Sequence, residues 1–286
     1  MSNRPELHEP QSVFRWMGSK RRQAPRLASL IRLALPADGT YFEPFLGGGS
    51  VAVTLGAPHS VLSDTNTDLM NAWQVLATQP ARLHDALQRL ATDSASYYGH
   101  RAAFASSTNN FERAVLFTYL NRYCFNGIYR TNRANVFNVP YGTSTGSLPP
   151  LRSFTRCSEA IRTASFSSCD FASAVDVAES GDVVYFDPPY PTGRPTYGEY
   201  GYGSFSTHDL RRLQRCIEKL NQRHVVTVIS VPVSMINSFA KLSDVDIVTT
   251  PYSVASHAHH RRLQQEVVLV SGFARQTVAT HLHSLT

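Results

Sequence analysis

Asp187, Pro188, Pro189 and Tyr190 follow directly on the apolar run Val183-Val184-Tyr185-Phe186. That order of groups could activate a poor nucleophile. An aromatic amine is unreactive because its lone pair is delocalised into the ring. The Asp187 carboxylate and the Pro188 carbonyl can each accept one N–H from it. Those two bonds would draw the nitrogen toward sp3 geometry and free the pair. Tyr190 would stack on the ring and hold it. Asp-Pro alone reads as a capped, proline-rich turn; the whole tetrapeptide after an apolar strand points to chemistry.

The elements around it must place that carboxylate. Val183–Phe186 read as a strand buried on both faces, of the kind found inside a parallel sheet. Neither proline can donate to the ladder, and both hold φ near about −65°, so the strand ends there. The acid then lies at the C-terminal edge of a central strand, where open α/β sheets bind ligands. A second strand, Thr40-Tyr41-Phe42, feeds Glu43-Pro44-Phe45-Leu46-Gly47-Gly48-Gly49-Ser50 and a short apolar helix, Val51–Leu55. A glycine loop between strand and helix lets a ligand approach the backbone closely. Gly47-x-Gly49-x-x-Ala52 fits the loose dinucleotide fingerprint, and equally a tight turn that binds nothing.

A strand over Ser60–Ser63 leads to Asp64, the position from which nucleoside-binding α/β folds hold a ribose diol. Asp64 or Thr65 could instead cap the next helix. Ser167-Ser168-Cys169-Asp170-Phe171 ends another strand. There Asp170 could accept from the exocyclic amine of a nucleoside with Phe171 against its ring, or serve as a helix N-cap. Leu27, Leu30, Ile31 and Ala34 mark a basic helix that Pro36 ends. The pattern from Ala81 to Phe104 is helical, with Leu83, Leu87 and Leu90 in register, and a further helix runs from about Phe111 to Tyr123. Ser206-Thr207-His208-Asp209 resembles a capping box opening a helix through Leu220. Val225–Ile229 and Glu266–Val270 are two more buried strands. Pro191–Ser204 reads as a mobile stretch rich in Gly and Tyr.

From Ala114 to Ser158 there is no Asp or Glu, while Arg122, Arg130, Arg133, Arg152 and Arg156 alternate with aromatics. Asn126-Gly127 is a turn signal within this stretch and allows a hairpin. Arginine for phosphates and rings for bases is how a nucleic-acid surface reads. An Arg-rich surface loop packing on itself is the bland alternative.

At 286 residues the chain can bury a full core, and 42% hydrophobic with 17% charged residues is ordinary for a globular protein. The net charge is +6 and the pI about 9.2, which suits an anionic partner. Only Lys20, Lys219 and Lys241 are lysines, so the basicity is arginine, whose planar fork suits phosphates and base edges. Cys124, Cys157, Cys169 and Cys216 are scattered and fit buried thiols in a reducing compartment. The absence of Pro-Cys argues against cytosine C5 chemistry through a thiolate. His257, His259 and His260 lack a nearby acid, so no metal is expected there. Met1–Pro10 is too polar for a signal peptide, and no apolar run approaches a membrane span. A cytoplasmic protein, monomeric in solution, is expected.

Phe14–Lys20, Glu43–Val51, Leu62–Leu69, Asn121–Gly142, Asp170-Phe171 and Asp187–Tyr190 together, in this order, resemble the DNA adenine methylase (Dam) family. These are S-adenosylmethionine-dependent enzymes acting on adenine N6 in double-stranded DNA. The resemblance covers nearly the whole chain. It implies an α/β, Rossmann-like methyltransferase sheet with helices on both faces and a smaller inserted helical and hairpin target-recognition domain. The catalytic domain would span 1–75 and 160–286, and the insert 76–159. It implies a donor pocket of Trp16, Lys20, Glu43, Phe45, Gly47, Gly49, Asp64, Asp170, Phe171 and Asp187. Asp187, Pro188, Pro189 and Tyr190 would hold the target base, flipped out of the duplex. Arg122, Phe125, Asn126, Ile128, Arg130, Asn132, Arg133 and Pro140 would meet DNA, with Asn126 and Ile128 inserting and Arg130 reading a guanine. The likeness around Arg130 points to G-A-T-C or a related site.

The chain departs from the family in three places. Ser19 stands where a second Gly usually precedes the lysine, Tyr123-Cys124-Phe125 is not the commonest wording, and Ile229-Ser230-Val231 replaces Ile-Ser-Asn. Rival readings are another amine methylase (cytosine N4, RNA adenine or a glutamine amide), a nicotinamide oxidoreductase using the glycine loop, and a relative that grips DNA without turnover. Asp before Pro-Pro leans to adenine, and the acid-free arginine stretch to nucleic acid. The oxidoreductase reading leaves Asp187–Tyr190 without a role.

Overall fold

A computed structural model describes residues 11–189, 205–239, 245–248, 253–255 and 263–271. Tyr190, the stretch Pro191–Ser204 and the three histidines named above lie outside them.

The strands are β1 (Tyr41–Glu43), β2 (Ser60–Asp64), β3 (Ser165–Ser168), β4 (Val183–Phe186), β5 (Val226–Pro232), β6 (Val245–Val248), β7 (Ser253–Ala255) and β8 (Leu263–Ser271). They are ordered β3-β2-β1-β4-β5-β8-β6, with β7 paired to β8. The first five are parallel, and β8 runs antiparallel between β5 and β6. This is the Rossmann-like sheet expected from the sequence. The chain goes outward from β1 through β2 to β3, then returns to β4 on the other side of β1. The switch point therefore lies between the C-terminal ends of β1 and β4, where such sheets leave a crevice.

Burial on both faces is visible along β4. Val183 and Tyr185 enter one apolar cluster, with Leu62, Trp73 and Phe117; Val184 and Phe186 enter the other, with Leu213, Ile217 and Ile229. That alternation is what a continuous apolar run needs in the middle of a parallel sheet.

The α-helices among the described residues are α1 (Ala24–Ala34), α2 (Ser50–Leu55), α3 (Thr67–Thr78), α4 (Pro80–Gln88), α5 (Ser94–Ser106), α6 (Asn110–Tyr123), α7 (Leu151–Ile161), α8 (Phe171–Ala174), α9 (Thr207–Gln222) and α10 (Ile236–Phe239). The single helical pattern expected from Ala81 to Phe104 is in fact two helices. Asp93 breaks it by accepting from Ser96 N at 3.0 Å, an N-cap that starts α5. The expected capping box is present, with Ser206 and Asp209 bonded reciprocally at the start of α9. Leu83, Leu87, Tyr97, Phe104 and Leu120 share the cluster that holds the sheet core, so α4–α6 pack on the same apolar body as α3. Tyr98, on α5, is exposed.

The hairpin after α6 is built differently from its turn signal. Antiparallel bridges join Cys124 to Tyr141 and Thr131 to Phe137. The tip is at 132–136, where Asn132 Oδ1 accepts from Ala134 N and Val136 N, and Asn135 takes φ 58°. Asn126-Gly127 instead forms a single turn of 3-10 helix near the base, with Asn126 at φ 55°. Asn132, with its side chain bonded to its own turn, wins over the Asn-Gly signal. No helix among the described residues is long and apolar enough to cross a membrane.

Candidate active site

Three carboxylates stand at the C-terminal ends of neighbouring strands. β1 ends in Glu43, β2 ends in Asp64, and β4 leads into Asp187. Asp187 is not alone there. Lys20 Nζ donates to its Oδ1 at 2.6 Å, and also reaches the Gly18 carbonyl at 3.3 Å. The pair is desolvated, with Lys20 4% and Asp187 19% exposed. Pro188 is buried and Pro189 half-buried, so the strand end is held stiffly.

Glu43 is buried at 3% exposure and accepts the Tyr41 hydroxyl at 2.7 Å. Burial, and then the Asp187 charge, push its carboxyl up to about 8; the Tyr41 hydrogen bond and Lys20 pull the other way. The Tyr41 phenol is raised for the same first reason, burial, with Glu43 adding to it. The geometry thus keeps one carboxyl neutral near pH 7 beside one that is ion-paired.

The glycine loop is pinned by its neighbours. Gly47 N donates to Asp64 Oδ2 at 3.0 Å, and Trp73 Nε1 donates to the Gly47 carbonyl at 3.0 Å. Asp64 also accepts Asn66 N on Oδ1 at 3.0 Å. Burial raises this carboxyl, while those backbone donors oppose the rise. Neither Asp64 nor Thr65 caps α3, because Asn66 does so, accepting from Leu69 N. Asp64 is instead oriented by the loop, and a carboxylate has lone pairs beyond the two in use. Gly47 and Gly49 cannot carry a Cβ. One at Gly47 would stand 2.6 Å from Trp16 Cδ1, and one at Gly49 would stand 2.5 Å from Trp73 Cζ2.

Asp170 does cap α8, accepting Ala172 N at 3.0 Å, and its Oδ1 also accepts from Arg212 Nη2 at 2.6 Å. Phe171 is buried beneath Phe45, stacked at 5.2 Å and 26°, with the Arg212 guanidinium 4.9 Å from its ring centre. The half-exposed aromatic surface at this corner is therefore that of Phe45 and Phe205, which pack edge-to-face at 6.1 Å. A cavity of about 210 Å³ opens between α8 and α9. Its walls include Arg212 but none of Glu43, Asp64 or Asp187, so the chemistry is not assigned to it.

The hairpin residues divide into two groups. Phe125, Asn126, Arg130, Asn132, Arg133 and Pro140 are exposed. Arg130 Nε donates to Asn138 Oδ1 at 3.0 Å, which sets the direction of its guanidinium. Arg122 and Ile128 are half-buried. Arg122 turns to the Ser147 carbonyl, and Ile128 packs on the main core. The sequence pointed to Trp16 but not to what it touches: its indole stacks on Tyr129 at 5.8 Å and 24°. Trp16 and Tyr129 lie far apart in the sequence and carry no signal for that contact; only the fold brings them together.

The family described as D12 class N6 adenine-specific DNA methyltransferase matches residues 16–260. The retron Ec67 DNA adenine methylase of Escherichia coli is 29% identical over 267 residues, covering 91% of each chain. The DNA adenine methylase of Escherichia coli strain K12 is 28% identical over 269 residues, 92% of this chain and 95% of that one. The DNA N-6-adenine-methyltransferase of Escherichia phage P1 is 32% identical over 227 residues, 77% of this chain but 29% of that protein.

Proposed function

The chain belongs to the D12 class of N6 adenine-specific DNA methyltransferases, and from that premise we propose that it moves a methyl group from S-adenosylmethionine to adenine N6 in double-stranded DNA. The observation that carries the proposal is the ion-paired Asp187 at the switch point, across from the buried Glu43. The donor set fits the cofactor chemically. Glu43 and the glycine loop suit a methionine part with its ammonium, Asp64 a ribose diol, and Asp170 an exocyclic amine beside Phe45 and Phe171. Trp16 and Lys20 would close this pocket. When bound, S-adenosylmethionine supplies an activated methyl group.

The remaining steps belong to the chain's own residues. Asp187 and the Pro188 carbonyl each accept one N–H of the target amine, which localises the nitrogen lone pair. Pro189 holds this edge rigid, and Tyr190 is assigned to stack on the base. With the donor held there, the amine nitrogen would bond the methyl carbon as the carbon–sulfur bond of the sulfonium breaks and leaves its electron pair on sulfur, and the nitrogen's surplus proton would pass to the Asp187 carboxylate. Lys20 balances the Asp187 charge and fixes its orientation. No covalent link to the protein is needed.

A base inside a duplex must first be flipped by about 180°, at a cost of a few kcal/mol. Stacking in the pocket offsets about 1–3 kcal/mol of that. The segment 76–159 is assigned to DNA, with Phe125, Asn126 and Ile128 filling the gap and Arg130 reading a guanine. Arg122, Asn132, Arg133 and Pro140 would line the same surface. G-A-T-C or a related site is the proposed target. Expression in a host lacking adenine methylation, followed by sequencing that reads methylated adenines, tests this. One short motif methylated throughout the genome is the expected result, and unmodified adenines would refute it.

A further inference from the structure

Residues 15–20 touch the hairpin at one end and the glycine loop at the other. Arg15 N donates to Asn121 Oδ1 at 2.8 Å, and Asn121 Nδ2 donates to the Arg15 carbonyl at 2.6 Å. This reciprocal pair clamps the segment to the end of α6. The Arg15 guanidinium donates to the Arg122 carbonyl at 3.0 Å and lies so close to Gly127 that a Cβ there would stand 2.7 Å from Nε. At the other end the Trp16 indole lies against Gly47, and Ser19 Oγ shares a hydrogen bond with Ser50 Oγ at 2.8 Å.

Tyr129 joins the two ends. Its ring stacks on Trp16, and it also rests on Phe117 and Phe137, both at 5.5 Å. Phe117 and Phe137 are buried. A close-packed core has few ways to absorb a shift, so movement of Tyr129 is passed to Trp16.

We propose that Tyr129 is a positioning residue that couples DNA engagement by the hairpin to donor binding at the glycine loop, acting through the Trp16 indole. The inference rests on the reading above that the hairpin meets DNA and the loop holds the donor. Each ligand favours the same placement of the hairpin, Trp16 and Gly47. By linkage, each then raises affinity for the other by one common factor. One stacked aromatic pair supports a factor of about 2 to 10.

The test is calorimetric titration of S-adenosylhomocysteine, the demethylated and unreactive donor, into the full chain. It is run alone and with a saturating duplex carrying one copy of the mapped methylation site. Wild type is expected to bind about 2- to 10-fold more tightly with the duplex. Tyr129→Phe keeps the ring and should keep the factor. Tyr129→Leu and Tyr129→Met keep apolar bulk without a ring, and should bring the factor to about 1 with each separate affinity within about twofold of wild type. Two such variants guard against one that fails to fold. A factor of 1 in wild type, or an undiminished factor in the Leu or Met variant, overturns the inference. A wild-type protein that binds neither ligand sinks instead the reading of the two sites.

Discussion

Lys20 Nζ donates to Asp187 Oδ1 at 2.6 Å across 167 positions of sequence, at the C-terminal edge of the sheet. Neither residue is well solvated, so each compensates charge on the other. Removing one partner of a buried pair costs about 3–5 kcal/mol, and the partial exposure of Asp187 puts it at the low end. Asp187→Ala should therefore lower the melting temperature, by about 2–4 °C per kcal/mol. Donor binding should stay measurable by calorimetry below that temperature. Methyl transfer should vanish in a labelled-donor assay, and retained transfer would refute the role given to Asp187.

Glu43 makes a prediction about protons. Its carboxyl is pushed from its ordinary 4.5 up to about 8, foremost by burial. The folded chain thus holds a proton that the unfolded chain has lost. The stability contributed by this group is full below about pH 4.5 and is lost as pH rises through about 8. A cationic ammonium brought to Glu43 favours the ionised form, so donor binding near pH 7 should release up to about one proton. Calorimetry in buffers of different ionisation enthalpy reads that release directly. It should fade above about pH 9 and disappear in Glu43→Gln. Equal proton counts in wild type and Glu43→Gln at pH 7 would remove Glu43 from the donor site.

Gly49 and Gly99 should respond oppositely to alanine. Gly49 has φ 58°, and its added Cβ would meet Trp73, which is wholly buried and hydrogen-bonded to Gly47. Left-handed backbone costs about 1–2 kcal/mol and overpacking about 1–3, so Gly49→Ala should lose about 2–5 kcal/mol in denaturant unfolding. Gly99 lies inside α5 with nothing within 4 Å of an added Cβ. Gly99→Ala should gain about 0.5–1 kcal/mol. Equal effects at the two sites would contradict the packing described for the glycine loop.

What the sequence made legible was local. The apolar run of β4, the glycine loop after β1 and the capping box of α9 each rest on neighbouring residues, and each stands where expected. The break between α4 and α5 was also written locally, in Asp93 and Ser96, but the leucine register masked it. The hairpin tip was misplaced because two Asn-containing turns competed, and only one has its side chain bonded to its own backbone. Pairings such as Lys20 with Asp187, or Trp16 with Tyr129, leave no sequence trace, because the fold alone sets the distance. Two of the departures from the family pattern also find partners here. Ser19 bonds Ser50 at the start of α2, and Val231 is buried in the cluster beneath β4.

Phe125 gives the sharpest division between folding and binding. Its backbone is fixed, with Phe125 N donating to the Pro140 carbonyl at 2.9 Å, while its ring is 49% exposed. A single exposed apolar residue is ordinary on any surface, and Val177, at 70% exposure and far along the sequence from the hairpin, is the matching control. Alanine at either position should change stability by no more than about 0.5 kcal/mol. Only Phe125→Ala should weaken duplex binding, by about 1–3 kcal/mol if the ring stacks on a base. Because the ring is uncharged, the slope of affinity against salt should stay at the wild-type value. Arg133→Ala should instead lower that slope by about one phosphate contact. Fluorescence anisotropy on one duplex across a salt series separates the two effects. An unchanged affinity for Phe125→Ala would mean that the ring is surface only, and that the gap left by the flipped base is filled from elsewhere on the hairpin.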